Sequence, residues 1–184
     1  MKNNRTIRRR VLTALTLFWM LFIFIMSSAR STVSDYQSDT LIDFICTVFV
    51  KGYTEMPPDK KLELQDQGTF PVRKCAHMTE YAILGALLSL TITEYMQDSD
   101  SSSRKRDGNS ASKILRRAVF IGFLYASTDE FHQTFVPGRS GEIRDILIDT
   151  FGVLQGSLIV TRLIPSLLQR RRANNYRFSP VRLS

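Results

Sequence analysis

Apolar residues in this chain come in blocks, and charges are gathered between them. An uncharged run covers Val11 to Ala29, and mostly apolar runs follow over about 75–96, 114–135 and 143–165. Each is close to the roughly 20 residues an α-helix needs to cross a bilayer core. The pattern predicts an all-α protein, a bundle of four transmembrane helices. Between the first and second runs lies a loop, residues 30–73, rich in acids. Within it, Leu41 to Val50 is apolar but too short to span. Asp39, Asp43, Thr47 and Lys51 recur there every four residues, which puts one polar stripe on an otherwise apolar helix. This short amphipathic helix is expected to lie on the membrane surface or to pack on the bundle. Pro57-Pro58 ends that unit, and a short polar helix over 60–67 is expected before the second span begins near Cys75.

The third and fourth runs are joined by DEFHQTFVPGRSGEIRD, residues 129–145. Pro137-Gly138 predicts a tight turn, because Pro presets its own φ and Gly accepts a positive one. Two helices folded back on each other would bring their charged ends together there. The segment 97–113, QDSDSSSRKRDGNSASK, is a solvated linker with no apolar periodicity.

The chain of 184 residues fits one domain. It divides into a transmembrane unit over 10–165 and a basic tail over 166–184. The mean hydropathy of −0.09 conceals the segregation into blocks. The formal charge is +8. Its basic residues abut the apolar blocks, so membrane orientation accounts for them better than nucleic acid does. Of the 25 Lys and Arg residues, 17 fall in the N-terminus, the 97–117 segment and the part from Arg162 onward, against eight elsewhere. The positive-inside rule then puts both termini and the middle loop in the cytoplasm, with the acidic loop and the Pro-Gly turn outside. The first run also has the basic start and the Ser27-Ser28-Ala29 ending of a signal peptide. With Trp19 and three Phe its apolar part is long for one, which favours an uncleaved helix. Cys46 and Cys75 allow a single disulfide; the alternative, which composition favours, is two small apolar residues.

This topology gathers polar residues at one depth. His77 and Glu80, with Tyr81, sit at the outer start of the second span, and Arg73 and Lys74 just before it. Asp129, Glu130, His132 and Gln133 end the third. Asp145 and Asp149 start the fourth, and Arg139 lies in the turn. If the three helices adjoin, these groups form a polar pocket open to the outer leaflet. One reading is an ion-pair network in which Arg73, Lys74, Arg139 and Arg144 neutralise the acids and set helix register. The other is a functional site, since ionisable groups at the ends of membrane-length helices are costly. Arg139 suits a phosphate or carboxylate, and His77 or His132 beside a carboxylate suits acid–base work. No HExxH pair fixes two metal ligands on one face, and neither GxSxG nor a Walker loop is present. No metal and no cofactor is therefore expected. Gly152 and Gly156, a small-xxx-small pair on the face that carries Asp145 and Asp149, predict close helix packing.

Taken together these residues resemble the VanZ-like family of bacterial membrane proteins. The family's pattern of a basic pair and a His before a Tyr matches Arg73-Lys74, His77 and Glu80-Tyr81. Its Asp-Glu, Gln and Pro-Gly-Arg match Asp129-Glu130, Gln133 and Pro137-Gly138-Arg139. Its closing Asp and two glycines match Asp145, Gly152 and Gly156. Asp149 stands where Asn is common, which makes this site more acidic. The resemblance covers about residues 10–165. It implies a multi-pass protein of the bacterial cytoplasmic membrane and cell envelope. The family is named for a protein associated with resistance to the glycopeptide teicoplanin, so it supplies a place and a phenotype but no reaction. The expected role is a non-enzymatic envelope factor that binds a polar or anionic envelope component or lipid headgroup. The alternatives are an intramembrane acid–base enzyme acting on a lipid-linked substrate, with Glu130 or His77 as base, and a structural subunit of a membrane complex.

Overall fold

In a computed structural model the described residues are mostly helical, with no strand among them. It describes residues 2–28, 31–99, 108–139 and 141–166. Residues 100–107 of the expected linker and nearly all of the basic tail lie outside the described residues; the described ends of the linker are helical, 97–99 in α3 and 108–113 in α4.

Helix α1 (Lys2–Ser27) starts in the basic N-terminus, upstream of the apolar run. Lys and Arg are good helix formers, so nothing there stops it. It runs antiparallel to the end of α3 (Pro58–Ser99). Arg8 pairs with Glu94 at 3.1 Å, Thr13 meets the Tyr95 hydroxyl at 3.3 Å, and Thr16 meets Thr91 at 3.0 Å.

Helix α3 differs most from expectation. A separate polar helix and a span starting near Cys75 were predicted; instead one helix of 42 residues runs through both, with Pro71 inside it. Pro removes a backbone donor and normally kinks or ends a helix. Here the turns around it are held from outside by α2 (Ser31–Phe49). Thr69 Oγ1 lies 2.8 Å from Asp39 Oδ1 and 2.7 Å from the Gln65 carbonyl. Ile42 packs on Gly68, where an added Cβ would lie only 3.0 Å from its Cδ1. At 1.5 Å per residue α3 is about 63 Å long, twice a hydrocarbon core of ~30 Å.

Helix α2 is also longer than Leu41–Val50, since no Gly or Pro interrupts residues 31–40. The first two residues of its polar stripe bond to the protein, while Thr47 is exposed and bonds only the Asp43 carbonyl of its own helix. Asp39 takes Thr69, and Asp43 accepts from the Tyr53 hydroxyl at 2.8 Å, in a 3-10 turn over Tyr53–Glu55. Lys51 falls in the turn beyond the helix. Leu41, Phe44, Val48 and Phe49 point outward, Phe49 being 80% exposed.

Helices α4 (Gly108–Gln133) and α5 (Ile143–Leu158) form the hairpin around the Pro137-Gly138 turn, where Gly138 has φ +80°. Past Leu158, α5 widens into one π turn over Ile159–Leu163 and stays helical to residue 166. Helix α3 touches all four other α-helices, and α3, α4 and α5 pack on one another. At the α3–α5 crossing the backbones nearly touch. A Cβ on Gly152 would meet the Met78 carbonyl, and one on Gly156 would run into that of Ala82. The core is small: Ile23, Tyr81, Leu84, Leu88, Ala118, Ala126 and Val153.

The exterior is apolar instead. Phe18, Phe120 and Phe151 are 63%, 61% and 52% exposed, as are Leu and Ile side chains along the same helices. Apolar surface on this scale needs a lipid or protein partner. Three helical stretches are long and apolar enough to cross a membrane: Asn4–Ser27, Pro58–Met96 and Ile143–Ser166. The 26 residues of α4 are not among them, because Arg116 and Arg117 at one end and Asp129 and Glu130 at the other crowd its apolar middle. Cys46 and Cys75 are free thiols.

Candidate functional site

The join of α3, α4 and α5 holds two different polar arrangements. The first is closed. Asp129, on the last turns of α4, is 2% exposed and accepts three hydrogen bonds. Ser27 Oγ of α1 donates at 2.5 Å, the Tyr81 hydroxyl at 3.2 Å and Gln133 Nε2 at 3.4 Å. Arg139 Nη1 in turn donates to Gln133 Oε1 at 3.3 Å, which links the turn to this buried knot. A carboxylate with that many donors has most of its acceptor capacity used. Tyr125 packs its ring beside Tyr81 and donates to the Met20 carbonyl, also at 2.5 Å.

The second arrangement is open. A pocket of about 110 Å³ lies between α3, the α4–α5 turn and the start of α5. Arg73, Lys74 and His77 line it from α3, Glu130 and Gln133 from α4, Gly138, Arg139 and Glu142 from the turn, and Asp145 and Asp149 from α5. Phe70 and Ile148 complete it. Lys74 forms an ion pair with Asp145. Glu130 Oε2 accepts the Glu142 backbone N–H at 3.0 Å, and the Glu142 carboxylate pairs with Arg144 at 3.1 Å. These two contacts close the turn. The acids on the pocket floor are the buried members: Glu130 is 4% and Asp149 2% exposed. Arg73, Lys74 and Arg139 are only half-buried. His77 Nδ1, Asp145 Oδ1 and Asp149 Oδ2, all on lining residues, have no hydrogen-bond partner among the described residues. Buried polar atoms are nearly always paired, so these are exceptions.

The sequence-predicted residues therefore divide. Arg73, Lys74, His77, Glu130, Gln133, Arg139, Asp145 and Asp149 come together around the pocket. Tyr81 and Asp129 lie in the closed knot. Glu80 is half-buried outside the pocket lining, and its backbone carbonyl accepts from Trp19 Nε1 at 2.9 Å. His132 faces α1, with Nε2 at 3.1 Å from Ser28 Oγ and its ring 4.5 Å from that of Phe24. Residues not foreseen are Ser27, Ser28, Phe70, Tyr125 and Glu142. Ser27 and Ser28 were readable only as a cleavage-like ending. The missing signal was that the first helix ends at the same depth as the acidic cluster. Among the described residues no three His, Cys, Asp or Glu side chains are placed to hold a metal ion.

Helices with an apolar exterior, a small core and charged groups at one end define a helical membrane protein. The VanZ/LLP1 family model matches residues 12–165, and the chain belongs to that family. Comparisons with curated proteins and with solved structures returned no match.

Proposed function

We propose that this is a four-span envelope factor that binds a polar or anionic headgroup in the pocket between α3, α4 and α5. Arginine and lysine residues from two elements meet beside orphaned acceptors, in a pocket open at one end. That pairing is the observation that carries the reading, since an ion-pair network alone leaves no acceptor over. At about 110 Å³ the pocket is smaller than the ~300–1,000 Å³ of clefts for drug-sized ligands, which favours a headgroup over a larger solute. Helix α4 is the added span: Asp129 is sealed by donors and Glu130 faces the pocket, so neither meets lipid. The basic bias puts both termini in the cytoplasm and the pocket on the outer side. There α2 lies at the membrane interface with Phe44, Val48 and Phe49 toward the acyl chains. The cell-envelope setting follows from that orientation, and a link to teicoplanin resistance rests on the resemblance to the family's namesake alone.

Arg139→Ala is the cleaner test, because Glu130 also holds the turn through the Glu142 N–H. The variant should accumulate as folded protein and lose headgroup binding. Loss of folded protein would favour the ion-pair network. An acid–base enzyme is the second reading, favoured by His77 Nδ1 lying unpaired beside carboxylates. Labelled lipid extract incubated with the protein should then yield a converted species that Glu130→Gln and His77→Ala abolish.

A further inference from the structure

The pocket has two electrically distinct halves. The charged groups that act on His77 are Arg139, Lys74 and Arg73 with Asp145, three cations against one acid. Those that act on Asp149 are Glu130, Asp129 and Asp145 with Lys74, three acids against one cation. Among the acids of the lining, Asp149 Oδ2 and Asp145 Oδ1 have no hydrogen-bond partner among the described residues, nor has His77 Nδ1 on the cationic side. Lys74 and Asp145 are paired with each other. Arg73 and Arg139 line the pocket as well, and so do the buried carboxylates Glu130 and Asp149. A plain anion satisfies only the cationic half. It leaves Asp149 Oδ2 buried among acids with no donor, and a buried polar atom without a partner is costly.

We propose that the occupant is a zwitterion in which a primary ammonium leads and a phosphodiester follows, the chemistry of a phosphoethanolamine headgroup. This rests on the headgroup reading above and narrows it. The ammonium sits on the acidic floor and donates to Asp149 Oδ2 and Glu130. The phosphate stays at the half-buried rim, where Arg73 and Arg139 donate to its oxygens. The order of charges fits a lipid: the ammonium is the tip of such a headgroup, the phosphate comes next, and the acyl chains remain outside. A trimethylammonium does not serve, because it has no N–H to offer an orphaned carboxylate oxygen.

The test uses the full chain in phosphatidylcholine nanodiscs, titrated with glycerophosphoethanolamine, glycerophosphocholine and glycerol phosphate. The first should bind about tenfold or more tighter than the other two. Asp149→Asn should erase its advantage over glycerol phosphate, and Arg139→Gln should weaken all three. Unfolding temperatures of the unliganded variants identify any loss of fold, and Arg73→Gln gives a second rim variant. Equal binding of glycerol phosphate would overturn the zwitterion while leaving a headgroup site. Binding of none would overturn both. A second arm separates two sources, both consistent with the proposal. In nanodiscs of mixed lipid, phosphatidylethanolamine retained by the protein above its bulk share marks the membrane lipid as ligand. Binding of the free diester without such enrichment marks the soluble compound.

Discussion

Asp129 and Asp149 are equally buried, and they differ in what surrounds them. Asp129 is the acceptor for Ser27, Tyr81 and Gln133, so Asp129→Ala orphans three donors at once. Each buried orphan costs about 1–3 kcal/mol, and the variant should melt well below wild type in detergent. Ser27→Ala removes one donor and should cost about 1 kcal/mol. Asp149→Asn breaks no hydrogen bond at Oδ2 and should leave the unliganded melting temperature nearly unchanged. A large loss there would show that Asp149 holds the bundle together instead of waiting for a ligand. At this scale the sequence was readable in depth but not in direction. Asp129 and Glu130 are neighbours in the chain, yet about 100° apart around the helix. One therefore enters the knot and the other the pocket. His77 and Glu80 are only about 60° apart, yet one lines the pocket and the other does not, and His132 turns to α1. None of these directions follows from an apolar run whose packing partners are unknown.

At the scale of elements the apolar blocks were legible and their ends were not. Helix α3 runs through Pro71 because α2 braces it, a tertiary effect that no local propensity shows. Spin labels on Leu62 and Leu90, both exposed, should report a separation of about 42 Å if α3 is continuous. A shorter, broader distribution would restore the break expected from the sequence. The α3–α5 contact makes a sharper demand. Gly156→Val drives a side chain into the Ala82 carbonyl, and overpacking of this kind costs about 1–3 kcal/mol. The variant should lose both stability and the pocket, since α3 and α5 supply opposite walls of it. Wild-type melting would show that the helices are not packed this closely.

At the scale of the molecule the fold is a membrane protein's inside-out design: phenylalanines outside, and Asp129, Ser27, Tyr81 and Ser157 inside. Helix α1 is packed into the bundle in this arrangement. Ile23 and Ser27 are fully buried in it, and cleavage after Ala29 would release the helix that caps Asp129. Mature protein from membranes should therefore retain residues 1–29 by intact mass. The alternation of basic and acidic segments was fully legible, and the proposed orientation rests on it.

The central claim is that the pocket opens away from the cytoplasm, and thiol accessibility in intact cells tests it most directly. Gly141 is a poor probe position, since a Cβ there would lie 2.6 Å from the Glu130 carbonyl. Phe135, at the turn and 70% exposed, is a better one. With Cys46 and Cys75 replaced by Ser, single cysteines at 135, 102 and 179 would meet a membrane-impermeant reagent. Labelling at 135 alone is the predicted result and puts the pocket where an outer-leaflet headgroup can reach it. Labelling at 102 and 179 but not at 135 would turn the protein over and contradict the envelope role.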